Sequence, residues 1–295
     1  CRELRAKLAR HEGVPAEQIL CGNGAADLIF RLVWAQKPRR ALVTAPTFAE
    51  YATALESVGC TVERFFLREQ ENFAVTDAFC AAIRPGVDMV FLCQPNNPTG
   101  QLTALPLMEQ ILHRCAACGT LLVVDECFLD FLPDHALHTA KGLLGEGNLV
   151  ILKAFTKLYG MAGVRLGYAL SADTALLEQM QACGQPWGVS SLAQAAGLAA
   201  LEETAYVENV RALIAEQRPR LTDGLRALGL RVLNGRANYL LFQAPETLGE
   251  TLRQRGAVLR SCANYPGLGP GWYRTAVRTG PENEQLLKLL AEVLE

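Results

Sequence analysis

Four short segments hold the residue types from which a catalytic site can be assembled: CGNGAADLIF at 21–30, CQPNNPTG at 93–100, VVDECFLDF at 123–131 and ILKAFTKLYGMAGVRLGY at 151–168. Glycines ahead of a helical pattern leave backbone N–H groups open to an anion, and Gly24, Ala25 and Ala26 add no bulk to block one. This segment lacks both GxGxxG and the GK[ST] of a nucleotide-phosphate loop, so by itself it is equally a turn. In the second segment, two prolines and two asparagines after an apolar run make a stiff loop that aims amide side chains, Asn97 among them, into a cleft. Asp125 ends an apolar run. A carboxylate buried there needs a cationic or hydrogen-bonding partner, whereas a solvated strand-end aspartate needs none. Lys157 lies among apolar and aromatic neighbours, where desolvation would lower its pKa as Schiff-base chemistry requires. Arg165 follows eight residues later.

Beneath these segments runs a regular alternation of apolar, β-rich stretches and helical patterns. ALVTAP (41–46), VERFF (62–66), DMVFLCQ (88–94), TLLVVDE (120–126), LVILKAF (149–155) and VRLGYAL (164–170) are expected as buried strands. Helices are expected between them, including Phe48–Val58 and Leu105–Cys118. Such alternation predicts an α/β fold with a mostly parallel sheet covered on both faces, and a ligand site beyond the carboxyl ends of its strands. The later sequence changes character. A helical region spans Ser190–Leu228, the short strands RVLNG and ANYLLFQ follow, and a helix covers Thr247–Arg255. A strand WYRTAVR then precedes a helix over Pro281–Glu295. The chain is therefore divided into a large part, 1–205, and a smaller α+β part, 206–295.

Composition narrows the function. Of 295 residues, 28 are Lys or Arg and 30 are Asp or Glu; the net charge of −2 offers no basic field for nucleic acid or an anionic membrane. No apolar run reaches the length of a bilayer span. The ten cysteines sit mostly in apolar contexts, as Cys93 and Cys127 do, and suit a reducing cytoplasmic compartment rather than a disulfide scaffold. One CxxC, Cys115 and Cys118, has only His113 nearby, so it is read as structural and no metal site is expected.

Taken in order and spacing, the four segments resemble those of fold-type I pyridoxal-phosphate enzymes, the aspartate aminotransferase-like family of class I and II aminotransferases. The resemblance runs through nearly the whole chain. It implies pyridoxal 5'-phosphate as cofactor, with Lys157 as the covalent lysine and Asp125 keeping the pyridine nitrogen protonated. It also implies Asn97 as a donor to the ring's phenolic oxygen and Phe48 as the aromatic stacked on the ring. The phosphate would be held by Gly24, Ala25, Ala26, Thr156 and Arg165. Two positions depart from commoner patterns: Phe128 stands where many aminotransferases carry a Tyr, and Ala154 where a Ser or Thr often meets the phosphate. Each departure removes one hydrogen bond, about 1 kcal/mol net.

By the same resemblance Arg274 grips the substrate carboxylate, Arg260 helps hold a substrate phosphate or carboxylate, and Asn97 also faces the substrate. Arg278 would share a strand face with Arg274. QPWGVS would line the pocket around Trp187, with ordinary interface packing as the other reading of that indole. DECFLDF, FTKLYGMAGVRLGY, QPWGVSSLAQ and RSCANYPGL are most similar to the branch holding threonine-phosphate decarboxylases, of cobalamin synthesis, and histidinol-phosphate aminotransferases. The expected activity is decarboxylation of L-threonine-O-3-phosphate to aminopropanol phosphate, with phosphate-ester aminotransfer as the alternative. A cofactor-binding regulator without turnover is the non-enzymatic alternative, and a Lys157→Ala variant separates it from an enzyme. Family members work as homodimers with an N-terminal arm that contacts substrate. A homodimer is accordingly expected, as is a segment missing ahead of Cys1.

Overall fold

The computed structural model describes residues 1–294. Helix α1 (Arg2–Glu12) leads into strand β1 (Ile19–Gly22), α2 (Ala25–Gln36), β2 (Arg40–Ala45), α3 (Glu50–Glu56) and β3 (Thr61–Phe66). Next come α4 (Ala78–Ala82), β4 (Met89–Cys93), α5 (Leu105–Cys118) and β5 (Leu121–Asp125). They are followed by β6 (Leu149–Ala154), α6 (Phe155–Leu158), β7 (Gly167–Leu170), α7 (Thr174–Ala182) and α8 (Ser191–Ala200). The remainder comprises α9 (Thr204–Ala227), β8 (Arg231–Val232), β9 (Tyr239–Gln243), α10 (Leu248–Gln254), β10 (Arg260–Ser261), β11 (Trp272–Ala276) and α11 (Gly280–Leu294). The expected closing helix is present; its last residue, Glu295, lies outside the described residues.

Seven strands form one sheet in the order β1-β7-β6-β5-β4-β2-β3. Its β3, β2, β4, β5 and β6 run parallel, while β7 is antiparallel to both β6 and β1. Alternation decides which residue faces which layer. Leu122 and Val124 of β5 join a core with Leu4 and Leu8 of α1 and Met108 and Ile111 of α5. Leu121 and Val123 join the opposite core with Leu28 and Leu32 of α2. Helix α5 shows how sequence sets such an element. Met108, Ile111, Leu112 and Cys115 make one buried stripe at helical spacing, each large side chain contributing roughly 1.5–3 kcal/mol. Gly119 ends it at φ 69°, a left-handed cap that suits glycine.

Three expectations about elements are corrected. VERFF is an edge strand rather than a buried one, and Phe66 is 59 % exposed, because Glu63 and Arg64 keep this rim in water. The strand in VRLGYAL begins only at Gly167, and Phe48 lies before α3 instead of on it. The four-residue β1, buried throughout, was not anticipated from its short ILCG run. A second sheet, β10-β11-β9-β8, carries its own core with Phe242, Leu221 and Leu290. Among the described residues no helix is long and apolar enough to cross a membrane.

A buried charge network ties α1 to the large sheet. Lys153 and Tyr168 are cross-strand partners on β6 and β7. Lys153 Nζ lies 2.8 Å from Asp130 and 3.5 Å from Glu126, and the Tyr168 hydroxyl donates to Glu12. Lys141 reaches the other Glu12 oxygen at 3.0 Å. Burial pushes Glu12 up, but Lys153, Tyr168 and Lys141 overcome it and hold the carboxyl at about 2. A folded pKa below the unfolded value means that this contribution is complete above about pH 5 and is lost as pH falls toward 2. Glu12→Gln is therefore expected to cost roughly 2–3 kcal/mol at pH 7 and little at pH 2 and below, as measured by denaturant midpoints across that range. Glu126 behaves oppositely: complete burial raises its pKa despite Lys153.

Candidate active site

The carboxyl ends of β2, β4, β5 and β6 open at one edge of the sheet, and the reversed β7 brings its first residue to the same edge. Register makes this concrete. Cys93 lies beside Asp125, Asp125 beside Leu152, and Ala154 beside Gly167, which also faces Gly22. A cavity of about 110 Å³ sits above this row. Ala25, Ala26, Phe48, Asn97, Asp125, Phe128, Ala154, Thr156, Lys157 and Arg165 all line it, which unites segments spread over 140 residues of chain.

Asp125 forms its floor. The carboxylate is 5 % exposed, accepts the Tyr51 hydroxyl at 2.6 Å on Oδ2, and accepts the Cys127 backbone N–H at 3.0 Å on Oδ1. Tyr51 is wholly buried and stacks on Phe91 at 4.8 Å. Burial, and then the charge of Asp125, push its hydroxyl well above its ordinary value, so it stays a donor. Burial pushes the Cys93 thiol up to about 12 and the Cys127 thiol well above its ordinary value, so both thiols remain protonated.

One wall is built for close approach. Gly24 precedes α2 at φ 85° and offers no capping side chain, so the first N–H groups of that helix remain free. A Cβ on Gly24 would fall 2.7 Å from Arg165 Nη2, and one on Gly167 would fall 2.6 Å from the Ala25 nitrogen. Arg165 itself has φ 59°, a conformation costly for a non-glycine residue. Guanidinium, free helix start and the Thr156 hydroxyl thus converge without steric obstruction. Lys157, on α6, corrects one expectation: it is exposed at the mouth rather than desolvated, with Nζ 5.2 Å from the Phe128 ring. The other lysine of this segment, Lys153, is committed to the ion network described above.

The second sheet meets this lining through Asn97. Arg274 Nη1 donates to Asn97 Oδ1, the Tyr265 hydroxyl reaches the same oxygen at 3.5 Å, and Arg274 lies 5.0 Å over the Tyr239 ring. With Oδ1 occupied, the Nδ2 group of Asn97 is left as a donor. Asn96 does different work: it accepts Thr47 and donates to Pro46 O and Thr99, binding the β4 loop to the β2 loop. Arg260 and Arg274 are directly opposed on β10 and β11, so their side chains share a face, and Arg260 lies 5.5 Å over Tyr265.

Gly24, Arg260 and Arg274 are not among the cavity's lining residues, although Gly24 abuts Arg165 and Arg274 bonds Asn97, which are; two further candidates lie apart from it. Strand β11 ends at Ala276, and Arg278 is an exposed residue paired with Glu282 at 2.6 Å, so strand alternation does not carry it toward Arg274. Trp187 is 93 % exposed and lines a separate cavity. Conversely, Tyr51, Tyr239 and Tyr265 were missed. The signal was there for Tyr51, three residues beyond Phe48 on an apolar helix face with a hydroxyl that burial obliges to find a partner. The free thiols Cys115, buried, and Cys118 sit in α5, remote from this site.

Comparison with known proteins identifies the family. Residues 2–293 match the family described as aminotransferase class I and II. A threonine-phosphate decarboxylase from Salmonella typhimurium is 41 % identical over 295 residues, covering 99 % of this chain and 81 % of the relative. A histidinol-phosphate aminotransferase from Symbiobacterium thermophilum is 36 % identical over 300 residues, with 99 % and 81 % covered. The crystal structure of histidinol-phosphate aminotransferase from Clostridium acetobutylicum superposes with a TM-score of 0.93 at 26 % identity, over 99 % of this chain and 88 % of that one. The α/β fold with its mostly parallel sheet is the one these enzymes share, and the chain belongs to the class I and II aminotransferase family of pyridoxal-phosphate-dependent enzymes.

Proposed function

We infer that the protein decarboxylates L-threonine-O-3-phosphate, releasing carbon dioxide and aminopropanol phosphate. The observation that carries this reading is the 41 % identity to a threonine-phosphate decarboxylase across 99 % of the chain. The opposed Arg260 and Arg274 support it. Like charges facing each other across two strands are unfavourable until anions neutralise them, and this substrate brings both a carboxylate and a phosphate.

The residues present fit the cofactor. The cradle that a Cβ on Gly24 or Gly167 would fill, with the free N–H groups of α2, Thr156 and Arg165, suits a phosphate. Asp125 is a buried carboxylate with two donors already in place, suited to face a protonated pyridine nitrogen. Pyridoxal phosphate, when bound, takes up the electron pair left on Cα when one of its bonds breaks. The chain does the rest. Arg274 and Arg260 bind the substrate's anionic groups, Asn97 donates through Nδ2, Phe48 covers the ring face, and Lys157 Nζ delivers the proton that replaces the carboxylate on Cα. Phe128 and Ala154 offer no hydrogen bond, which leaves Asn97 and Thr156 to supply the polar contacts at those two ends. A two-fold homodimer belongs to the same reading and is checked by mass in solution.

Incubating the cofactor-loaded protein with L-threonine-O-3-phosphate is expected to release carbon dioxide with no keto acid added. Amino transfer that appears only when a keto acid is supplied, with no carbon dioxide, would assign the chain to phosphate-ester aminotransfer instead.

A further inference from the structure

The loop between β10 and β11 carries one side chain that meets both arginines of the second sheet. Tyr265 is buried and packs with Leu67, Phe73 and Trp272. Its backbone is held on either side: its N–H donates to Cys262 O at 3.1 Å, and its C=O accepts from the Leu268 N–H at 3.0 Å. Gly267 fixes where this loop lies. At φ 88° it comes so near the end of β2 that a Cβ would fall 3.1 Å from Ala45 O. The ring is therefore a fixed platform at the ligand edge of the large sheet.

The two ends of Tyr265 touch different partners. Its hydroxyl reaches Asn97 Oδ1 at 3.5 Å, the same oxygen that takes Arg274 Nη1. Its ring lies beneath Arg260, whose guanidinium carbon is 5.5 Å from the centroid. Arg260 is exposed, donates from Nη1 to Ser261 O at 2.7 Å, and makes no ion pair among the described residues. An exposed arginine without a carboxylate samples many rotamers, and ordering it on an anion costs affinity. A ring face beneath the guanidinium removes part of that cost by holding the group in place beforehand. Burial pushes the Tyr265 hydroxyl up even beside Arg274 and Arg260, so it stays a protonated donor to Asn97.

We propose that Tyr265 is a positioning residue that sets Arg260 relative to Arg274, and thereby selects small ligands bearing both a carboxylate and a phosphate over those bearing a carboxylate alone. This role rests on the reading above, in which the two arginines take the substrate's anionic groups.

The test compares 4-phosphonobutyrate with butyrate, two ligands without an amine that differ only in the second anion. Binding to the cofactor-loaded protein is followed by calorimetry, butyrate by displacement of the phosphonate. The parent protein should prefer the phosphonate by about tenfold or more. Tyr265→Leu should lower that ratio by roughly five- to tenfold. Tyr265→Phe, which keeps the ring, should hold the ratio within about twofold of the parent while weakening both ligands alike by roughly two- to threefold, through the lost contact with Asn97. A packing role alone moves both affinities together and leaves the ratio unchanged in either variant. Arg260→Gln should lower the ratio as far as Tyr265→Leu does, and the two changes combined should lower it little further. An unchanged ratio in Tyr265→Leu beside a lowered one in Arg260→Gln overturns the role of Tyr265 and leaves the two-arginine reading standing. No preference in the parent protein, or an unchanged ratio in Arg260→Gln, overturns both. Should Tyr265→Leu fail to fold, Tyr265→Met, which fills much of the same space without a ring face, carries the test, and an unchanged ratio there overturns the proposal.

Discussion

Replacing Lys157 with alanine is expected to reduce carbon dioxide release from L-threonine-O-3-phosphate by about 10⁴-fold or more, with the fold intact. The size of the effect follows from the cavity's composition. Lys157 is the only amine among its lining residues, so no neighbour can substitute for it. Lys153, four residues earlier, lies on the other face of the sheet, held by Asp130 and Glu126. Survival of the fold follows from exposure: Lys157 makes no hydrogen bond through its side chain among the described residues, and its contact with the Phe128 ring is worth only about 0.5–1 kcal/mol at an exposed site. Circular dichroism and a thermal melt should match the parent protein while turnover disappears. Retained turnover would mean that the chain does not use covalent catalysis through this residue.

Asp125→Asn should lower kcat by about 10²–10³-fold, the range found when a single preorganised electrostatic group is removed. The substitution keeps volume and hydrogen-bonding shape but deletes a negative charge that Tyr51 and the Cys127 N–H hold in one orientation. The Tyr51 hydroxyl can turn to accept from an amide, so the stability change should stay within about 1–2 kcal/mol. A kcat within a few-fold of the parent protein would exclude a charge requirement at this position. On the proposed reading, the two variants together separate proton handling at Cα, assigned to Lys157, from charge opposite the ring nitrogen, assigned to Asp125.

Much of this molecule is legible without coordinates because the informative features are local. An apolar run of five or six residues such as MVFLC or LLVVD has one good solution, a strand buried on both faces, and such strands call for a parallel sheet with helices on each side. The residue that follows each run must then emerge at the ligand edge, which is why Asn97, Asp125 and Lys157 could be placed from order and spacing alone. Where the local signal was thin, the structure departed from expectation. ILCG is too short to distinguish a strand from a turn, and VERFF has strand composition whether it lies at the centre or at the rim.

The amino-acid sequence by itself determined the fold class and, through four motifs whose order and spacing resemble a known family, the cofactor and most of the residues that line the Lys157 cavity, since these depend on residue type and near-neighbour spacing. Tertiary packing alone decided the rest. Only the assembled sheets bring Arg274 onto Asn97 across 177 residues of chain and set Arg260 opposite it. Packing also leaves Lys157 in the open and turns Tyr51 onto Asp125. These are relations between side chains on different elements, and they come into being only when burial of the two sheet faces and the second core sets the elements side by side.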